Sequence, residues 1–348
     1  MASRGQHHNL WADGALLLVA LVWGITFGMV KEAIQTLPPF AFLAVRFALA
    51  TGLLALYAWV VKINLLWGAR SPEPSLGTAG QEPGGSGVLN LALPSLVAGA
   101  ATGTFLFLGY SFQTAGLLFT SASKAGFITG LSVAIVPVLA AILLRQQPGA
   151  WAVIGITLAT SGLALLTLSG SGAASLASIN RGDLLVLLCA FSFAGHIVAV
   201  GHFVRRHHPL QLAFLQVLIV SILSAAVAYV WERDLLVDFW QRLADRQVIA
   251  ALLVTGVLAT AIAFLVQNTM QTKTTPTHTA LIFATEPVFA AIFAYLYLGE
   301  RLLPLGLVGG ILVVLGMVVA ELRTIFPAKS PSSLIVQAKD VVDDVDAT

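Results

Sequence analysis

Residues 274–300 read TTPTHTALIFATEPVFAAIFAYLYLGE, an apolar run that carries one carboxylate, Glu286, with a proline directly after it. Counted from Pro276 at ~1.5 Å per residue, Glu286 lies roughly 15 Å along a helix, near the middle of a hydrocarbon layer ~30 Å thick. A carboxylate at that depth is expensive, so it faces a bundle interior or an aqueous cavity and marks a substrate or ion pathway. Pro287 removes a helical hydrogen bond and crowds the turn before it, which predicts a bend beside the acid.

The rest of the chain fits that environment. Hydrophobic residues make up 58% of the 348 residues and charged ones only 10%, where an ordinary soluble domain has about a quarter charged. The formal net charge of +2 is too small to argue for nucleic acid, and the Lys and Arg residues stand singly between apolar runs, where no basic groove assembles. One cysteine, Cys189, excludes an intrachain disulfide. Residues 1–12 are polar, and the first apolar run lacks an Ala-x-Ala-type cleavage site, so it reads as a retained span.

Ten apolar runs are long enough to cross a bilayer: 13–33, 39–61, 88–111, 121–144, 150–169, 182–204, 209–230, 247–269, 277–298 and 303–323. Without period-two alternation such runs satisfy their backbone in lipid only as helices, which excludes a barrel. Two connections are longer. Residues 68–87, rich in Gly, Pro and Ser, read as a flexible loop, and 231–246 (WERDLLVDFWQRLADR) as a segment lying along the interface. The tail, 324–348, reads as disordered. With the N-terminus in the cytoplasm, ten Lys and Arg fall in inner connections and seven in outer ones, three of the seven in the acidic 231–246 segment. That bias favours both termini inside.

Sliding the chain on itself by 154 positions pairs Gln113 with Gln267, Leu144 with Leu298, Gly155 with Gly309 and Gly162 with Gly316. A shift of 150 instead lays Pro137-Val-Leu-Ala-Ala-Ile over Pro287-Val-Phe-Ala-Ala-Ile. Either register pairs span four with span nine. Trp23-Gly24 answers Phe193-Ala194, each about ten residues after an aspartate, Asp13 or Asp183. Five spans per half is odd, so the second copy enters the membrane upside down. The expected fold is all-α: ten transmembrane helices as two inverted-topology five-helix repeats, 13–169 and 182–323, around a central cavity.

Five stretches carry a family resemblance: Trp23-Gly24; Arg46 after Leu37-Pro38-Pro39; Ser121-Ala122-Ser123-Lys124-Ala125; Glu286-Pro287; and Leu298-Gly299-Glu300. In that order and spacing the chain resembles a ten-span member of the drug/metabolite transporter superfamily, of the EamA-domain type. The first repeat ends in Arg145-Gln146-Gln147-Pro148 where the family often has Gly-Glu, so no role passes to a first-repeat glutamate. The resemblance implies a bundle in the plasma (bacterial inner) membrane that moves small organic metabolites, often amino acids or related compounds, commonly outward.

The candidate site residues are Glu286, Trp23, Tyr110, His196, Arg46, Gln113, Gln267 and Lys124. Glu286 either binds a substrate ammonium or exchanges a proton with it, or is a structural carboxylate paired to a neighbouring helix. Arg46, about seven residues into span two, snorkels, braces helices or binds a substrate carboxylate. His196 inside span six is a packed polar residue or a pH-sensing ligand group. Gln113 and Gln267, with Tyr110 and Phe264 one turn earlier, either gate the cavity or anchor at the interface. Trp23 lines the cavity or packs in the core, and Lys124 attracts anions at an outer mouth or anchors topology. The glycines of spans five and ten share one face and allow close helix approach.

The function expected is a secondary transporter, an exporter or exchanger of small organic metabolites, with an uptake carrier as the alternative. No Walker-type run appears. A membrane-embedded enzyme is the reading from another class, against which stand the missing His-Glu-x-x-His and Gly-x-Ser-x-Gly motifs. A channel would need rings of carbonyl or charged groups. The partners expected are a small-molecule substrate and the lipid bilayer, with no nucleic acid, cofactor or metal; a homodimer stays open.

Overall fold

The structure, a computed structural model, describes residues 10–62, 86–120, 122–146, 148–171, 180–297 and 304–325, and among these it contains helices and no strand. The helices are α1 (Leu10–Thr36), α2 (Pro39–Val60), α3 (Ser86–Leu117), α4 (Ala122–Gly130), α5 (Ser132–Leu144), α6 (Ala150–Ser171), α7 (Arg181–Phe203) and α8 (Pro209–Trp231). After two short pieces, Arg233–Leu236 (3₁₀) and α9 (Phe239–Leu243), come α10 (Arg246–Leu253), a π-helical stretch (Val254–Ile262), α11 (Ala263–Gln271), α12 (Pro276–Phe283), α13 (Glu286–Tyr297) and α14 (Pro304–Ile325). Six helices have the length and hydropathy to cross a membrane: Leu10–Thr36, Pro39–Val60, Leu93–Leu117, Arg181–Phe203, Pro209–Trp231 and Arg246–Gln271. Shorter apolar helices cover Ile128–Leu144, Ala150–Leu165 and Pro304–Ala320. The chain is an integral, multi-pass membrane protein.

Local chemistry sets the helix ends. Pro39 and Pro209 open α2 and α8, where a missing N–H is no loss. Asn180 and Asp183 form a capping box at the start of α7, each side chain accepting the other's backbone N–H, as expected of the Arg181-Gly182-Asp183 helix start. Thr275 caps α12 by accepting from His278 N at 3.2 Å, and Asp245 caps α10 through Gln247 N and Val248 N. That second cap, with Asp238 ahead of α9, divides 231–246 into short turns, so no continuous interfacial helix forms there. Large side chains such as Trp59, Ile142 and Ile311 stay exposed on the outer surface, as lipid contact allows.

The proline beside Glu286 does more than bend its helix. The backbone breaks at 284–285, and Thr285 O accepts from both Val288 N (3.0 Å) and Phe289 N (3.1 Å) to start α13 afresh. A matching break at Leu131 separates α4 from α5. The two breaks lie 154 positions apart (285 − 131), which favours that shift over 150.

Helices α6 and α14 pack closely along their length. A Cβ on Gly155 would fall 2.5 Å from Gly316 O, and one on Gly162 would fall 2.5 Å from Gly309 O. Positions rising along α6 meet positions falling along α14, so the two run antiparallel. This is the glycine packing that the sequence pattern predicts. The loop 68–87 lies outside the described residues apart from its last two, which begin α3, as do Leu298-Gly299-Glu300 and the tail beyond Ile325.

Candidate functional site

One cavity, whose empty space of about 810 Å³ includes open solvent, is lined by residues of α1–α5, α7, α11 and the α12–α13 break. Seven of the eight candidate residues line it: Glu286, Trp23, Tyr110, His196, Arg46, Gln113 and Gln267. The eighth, Lys124, lies on α4, but its side chain is outside the described residues.

Glu286 is the first residue of α13, placed there by the break that Pro287 enforces. It is partly exposed to the cavity, and its carboxylate makes no hydrogen bond or ion pair among the described residues. The brace to a neighbouring helix is therefore absent among them. Gly24 of α1 lies against the same break, where a Cβ would fall 2.6 Å from Glu286 O. Only glycine lets α1 approach that backbone so closely.

Arg46 departs from the snorkelling expectation: it is 3% exposed. Its Nε donates to Thr260 Oγ1 at 2.8 Å, Nη2 donates to Tyr110 OH at 3.4 Å, and the guanidinium lies 4.8 Å from the Tyr110 ring centroid. A hydroxyl and an aromatic face hold the cation in the bundle instead of headgroups. Thr260 belongs to the π-helical stretch, where its hydroxyl also donates to Thr255 O at 2.7 Å. Trp23 Nε1 donates to Ala259 O in the same stretch at 2.8 Å. Such irregular helix commonly falls at functional sites, and nothing in the residue types of 254–262 announces it.

The aromatic lining has a paired arrangement. Trp23 and Phe264 have ring centroids 5.7 Å apart, and Phe193 and Tyr110 5.3 Å apart. These are the residues that the sequence repeat equates, Trp23 with Phe193 and Tyr110 with Phe264. Phe283 closes against Trp23 at 4.9 Å.

The glutamines are not interfacial anchors. Gln113 Nε2 donates to Thr129 Oγ1 at 3.2 Å across to α4, and Gln267 is 1% exposed. His196 Nε2 meets Gln216 Oε1 at 2.9 Å, Gln216 Nε2 donates to Asn268 Oδ1, and Asn268 Nδ2 donates to Pro209 O, both at 3.4 Å. His196 is thus a satisfied polar group at the cavity edge, as the packing reading expects. Gln216 and Asn268 went unremarked in the sequence, although a fully polar amide inside an apolar span was the available signal.

The two ends of the cavity differ. It extends from the level of Trp23 toward Val30, Leu117 and Gly126, where α1 and α3 finish and α4 begins. Toward the other end, Leu16, Val19, Ala20, Ala194, Val198 and Ala280 belong to one buried hydrophobic cluster. There His278 of α12 meets Asp13 of α1 at 2.7 Å. No group of three or more His, Cys, Asp or Glu among the described residues has the arrangement to hold a metal.

Apolar helices around a cavity with an acid, a guanidinium and amides on its wall fit a polytopic membrane protein. The chain belongs to the EamA-like transporter family, whose model matches it twice, over residues 10–168 and 180–321. It is 32% identical over 317 residues to an uncharacterized transporter of Archaeoglobus fulgidus, covering 90% of this chain and 87% of that one. It is 24% identical over 332 residues to the uncharacterized transporter YcxC of Bacillus subtilis, covering 94% and 97%. A protein of known crystal structure shares the fold at a TM-score of 0.68, with 18% identity, 91% of this chain and 98% of that one covered.

Proposed function

We propose that this membrane transporter is a secondary carrier, an exporter or exchanger of small organic metabolites such as amino acids or related compounds. It works by alternating access between two inverted five-helix repeats, with ten spans and both termini in the cytoplasm of the cell that carries it in its plasma membrane. The observation that carries the reading is the cavity with Glu286, Arg46 and amides on its wall, lined from both matched segments. Three further features support the inverted relation. The helix breaks lie 154 positions apart; the contact of Trp23 with Phe264 mirrors that of Phe193 with Tyr110; and the pair Gly155–Gly316 becomes Gly309–Gly162 under the same shift. Antiparallel mates exchanged in this way are what a two-fold axis in the membrane plane produces.

Counterflow in proteoliposomes tests the proposal. Vesicles loaded with an unlabelled metabolite panel should take up a labelled member of that panel transiently above equilibrium. Absence of counterflow for every solute, or recovery of a chemically altered compound, would replace the carrier with an enzyme.

A further inference from the structure

The two ends of the cavity are built from answering positions that meet to different degrees. At the packed end, the second half of α7 lies on the first turns of α12: a Cβ on Gly201 would fall 2.5 Å from Pro276 Cγ, and Val198 and Ala280, 2% and 1% exposed, share one hydrophobic cluster. The shift of 170 that takes Trp23 to Phe193 (193 − 23) also takes Gly28 to Val198 and Lys31 to Gly201, and the shift of 154 takes Gly126 to Ala280. The counterparts at the open end are therefore the second half of α1 and the first turns of α4. These stand apart. A Cβ on Gly28 or on Gly126 would meet nothing within 4 Å among the described residues, and Gly126 lines the cavity with Phe27 and Val30. Where Gly201 abuts α12 directly, Lys31 crosses the mouth with its side chain, Nζ donating to Thr120 O at 3.3 Å just ahead of α4.

We propose that the second half of α1 is the gate of the open end, and that it closes by seating Gly28 against Gly126 on α4. Packed helices move between discrete arrangements, and the arrangement available here is the one that α7 and α12 already hold at the other end. Two glycines let the backbones approach closely once the walls meet. Gly24, whose Cβ would fall 2.6 Å from Glu286 O, fastens α1 to the start of α13, so the movement of α1 reaches the cavity wall that carries Glu286. The inference rests on the carrier reading and deepens it by naming the helix and the residues that close the open end. Had the glycines only widened an entrance, bulk there would weaken binding and exchange together.

The test uses the panel member that gives counterflow with the wild type. Gly126→Leu fills the space that closure needs, so it should keep the rise in melting temperature on adding that solute while counterflow falls about tenfold or more. Gly126→Ala, which carries the side chain of its counterpart, should exchange within about threefold of wild type. Parallel loss of binding and exchange in Gly126→Leu, or full exchange, overturns the gate. Gly28→Cys/Gly126→Cys in a Cys189→Ala background keeps the proposal falsifiable if Gly126→Leu does not stay monodisperse. On oxidation in proteoliposomes that pair should form a disulfide, lose counterflow, and regain it on reduction. With Val198→Cys added, maleimide labelling read at that peptide should be about tenfold faster in the bridged protein, because closing one end opens the other. No disulfide in protein that exchanges, undiminished exchange when bridged, or unchanged labelling at position 198 overturns the gate and leaves the carrier standing. No counterflow of any panel solute by the wild type overturns both.

Discussion

Replacing Glu286 by glutamine keeps shape and hydrogen bonding while removing the charge. A mid-span charge costs roughly 2.5 to 3.5 kcal/mol, and here it has no partner among the described residues to offset that cost. Glu286→Gln should therefore insert and remain monodisperse while accumulation of substrate falls about 10- to 100-fold, the worth of a charged hydrogen bond in the cavity. A variant that aggregates would make Glu286 a brace; one that transports normally would make it ordinary lining. Seven of the eight candidate residues were legible in the sequence because polar atoms in an apolar span have few places to go except inward. Of the two structural readings for Arg46, snorkelling and an interhelical brace, its contacts with Thr260 and Tyr110 fit the brace. Its position near the start of α2 suggested a reach to headgroups, and only the fold brings Tyr110 and Thr260 close enough to hold it inside.

At the scale of elements, two contacts make separate predictions. The Glu232 carboxylate, beyond the end of α8, accepts from Phe40 N at 2.9 Å and Ala41 N at 2.8 Å and so closes the exposed start of α2. Glu232→Ala should cost about 1–2 kcal/mol of stability, as the loss of a helix cap does, read as a lowered melting temperature. Burial raises the Glu232 carboxyl above the ordinary carboxylate range, against the opposing effect of those two N–H bonds. The folded state then holds its proton more tightly than the unfolded state does, so stability falls as pH rises from the ordinary value through the raised one. Wild type should show that decline relative to Glu232→Gln; equal pH slopes would contradict it. In the α6–α14 pair, Gly155→Ala should destabilise by about 1–3 kcal/mol through overpacking, because its Cβ would meet Gly316 O at 2.5 Å and Ala320 Cβ at 2.8 Å. An unchanged melting temperature would show that the helices separate freely. The glycine spacing announced this contact, whereas the break at Leu131 had no proline beside it to give it away; there the equivalent of Glu286 is Ser132.

For the whole molecule, the repeat was visible in the sequence only as a few identities in two competing registers. Residues that the proposed two-fold would relate share a surrounding, not a side chain: tryptophan answers phenylalanine, and tyrosine answers phenylalanine. Paired helix breaks and reciprocal glycine contacts favour one register because backbone geometry outlasts side-chain identity. The proposed ten spans require both termini on one side, and single cysteines introduced at positions 5 and 335 in a Cys189→Ala background should label from the same face. The proposed alternating access further requires the packed end of the cavity to open, and there the Asp13–His278 contact ties α1 to α12. The most direct measurement is counterflow by Asp13→Cys/His278→Cys in the Cys189→Ala background, before and after bridging the pair with a short bifunctional thiol reagent. The account predicts that exchange is lost on bridging and returns when a reducible bridge is cleaved, while substrate still raises the melting temperature of the bridged protein from the open side. Undiminished exchange in fully bridged protein would contradict it.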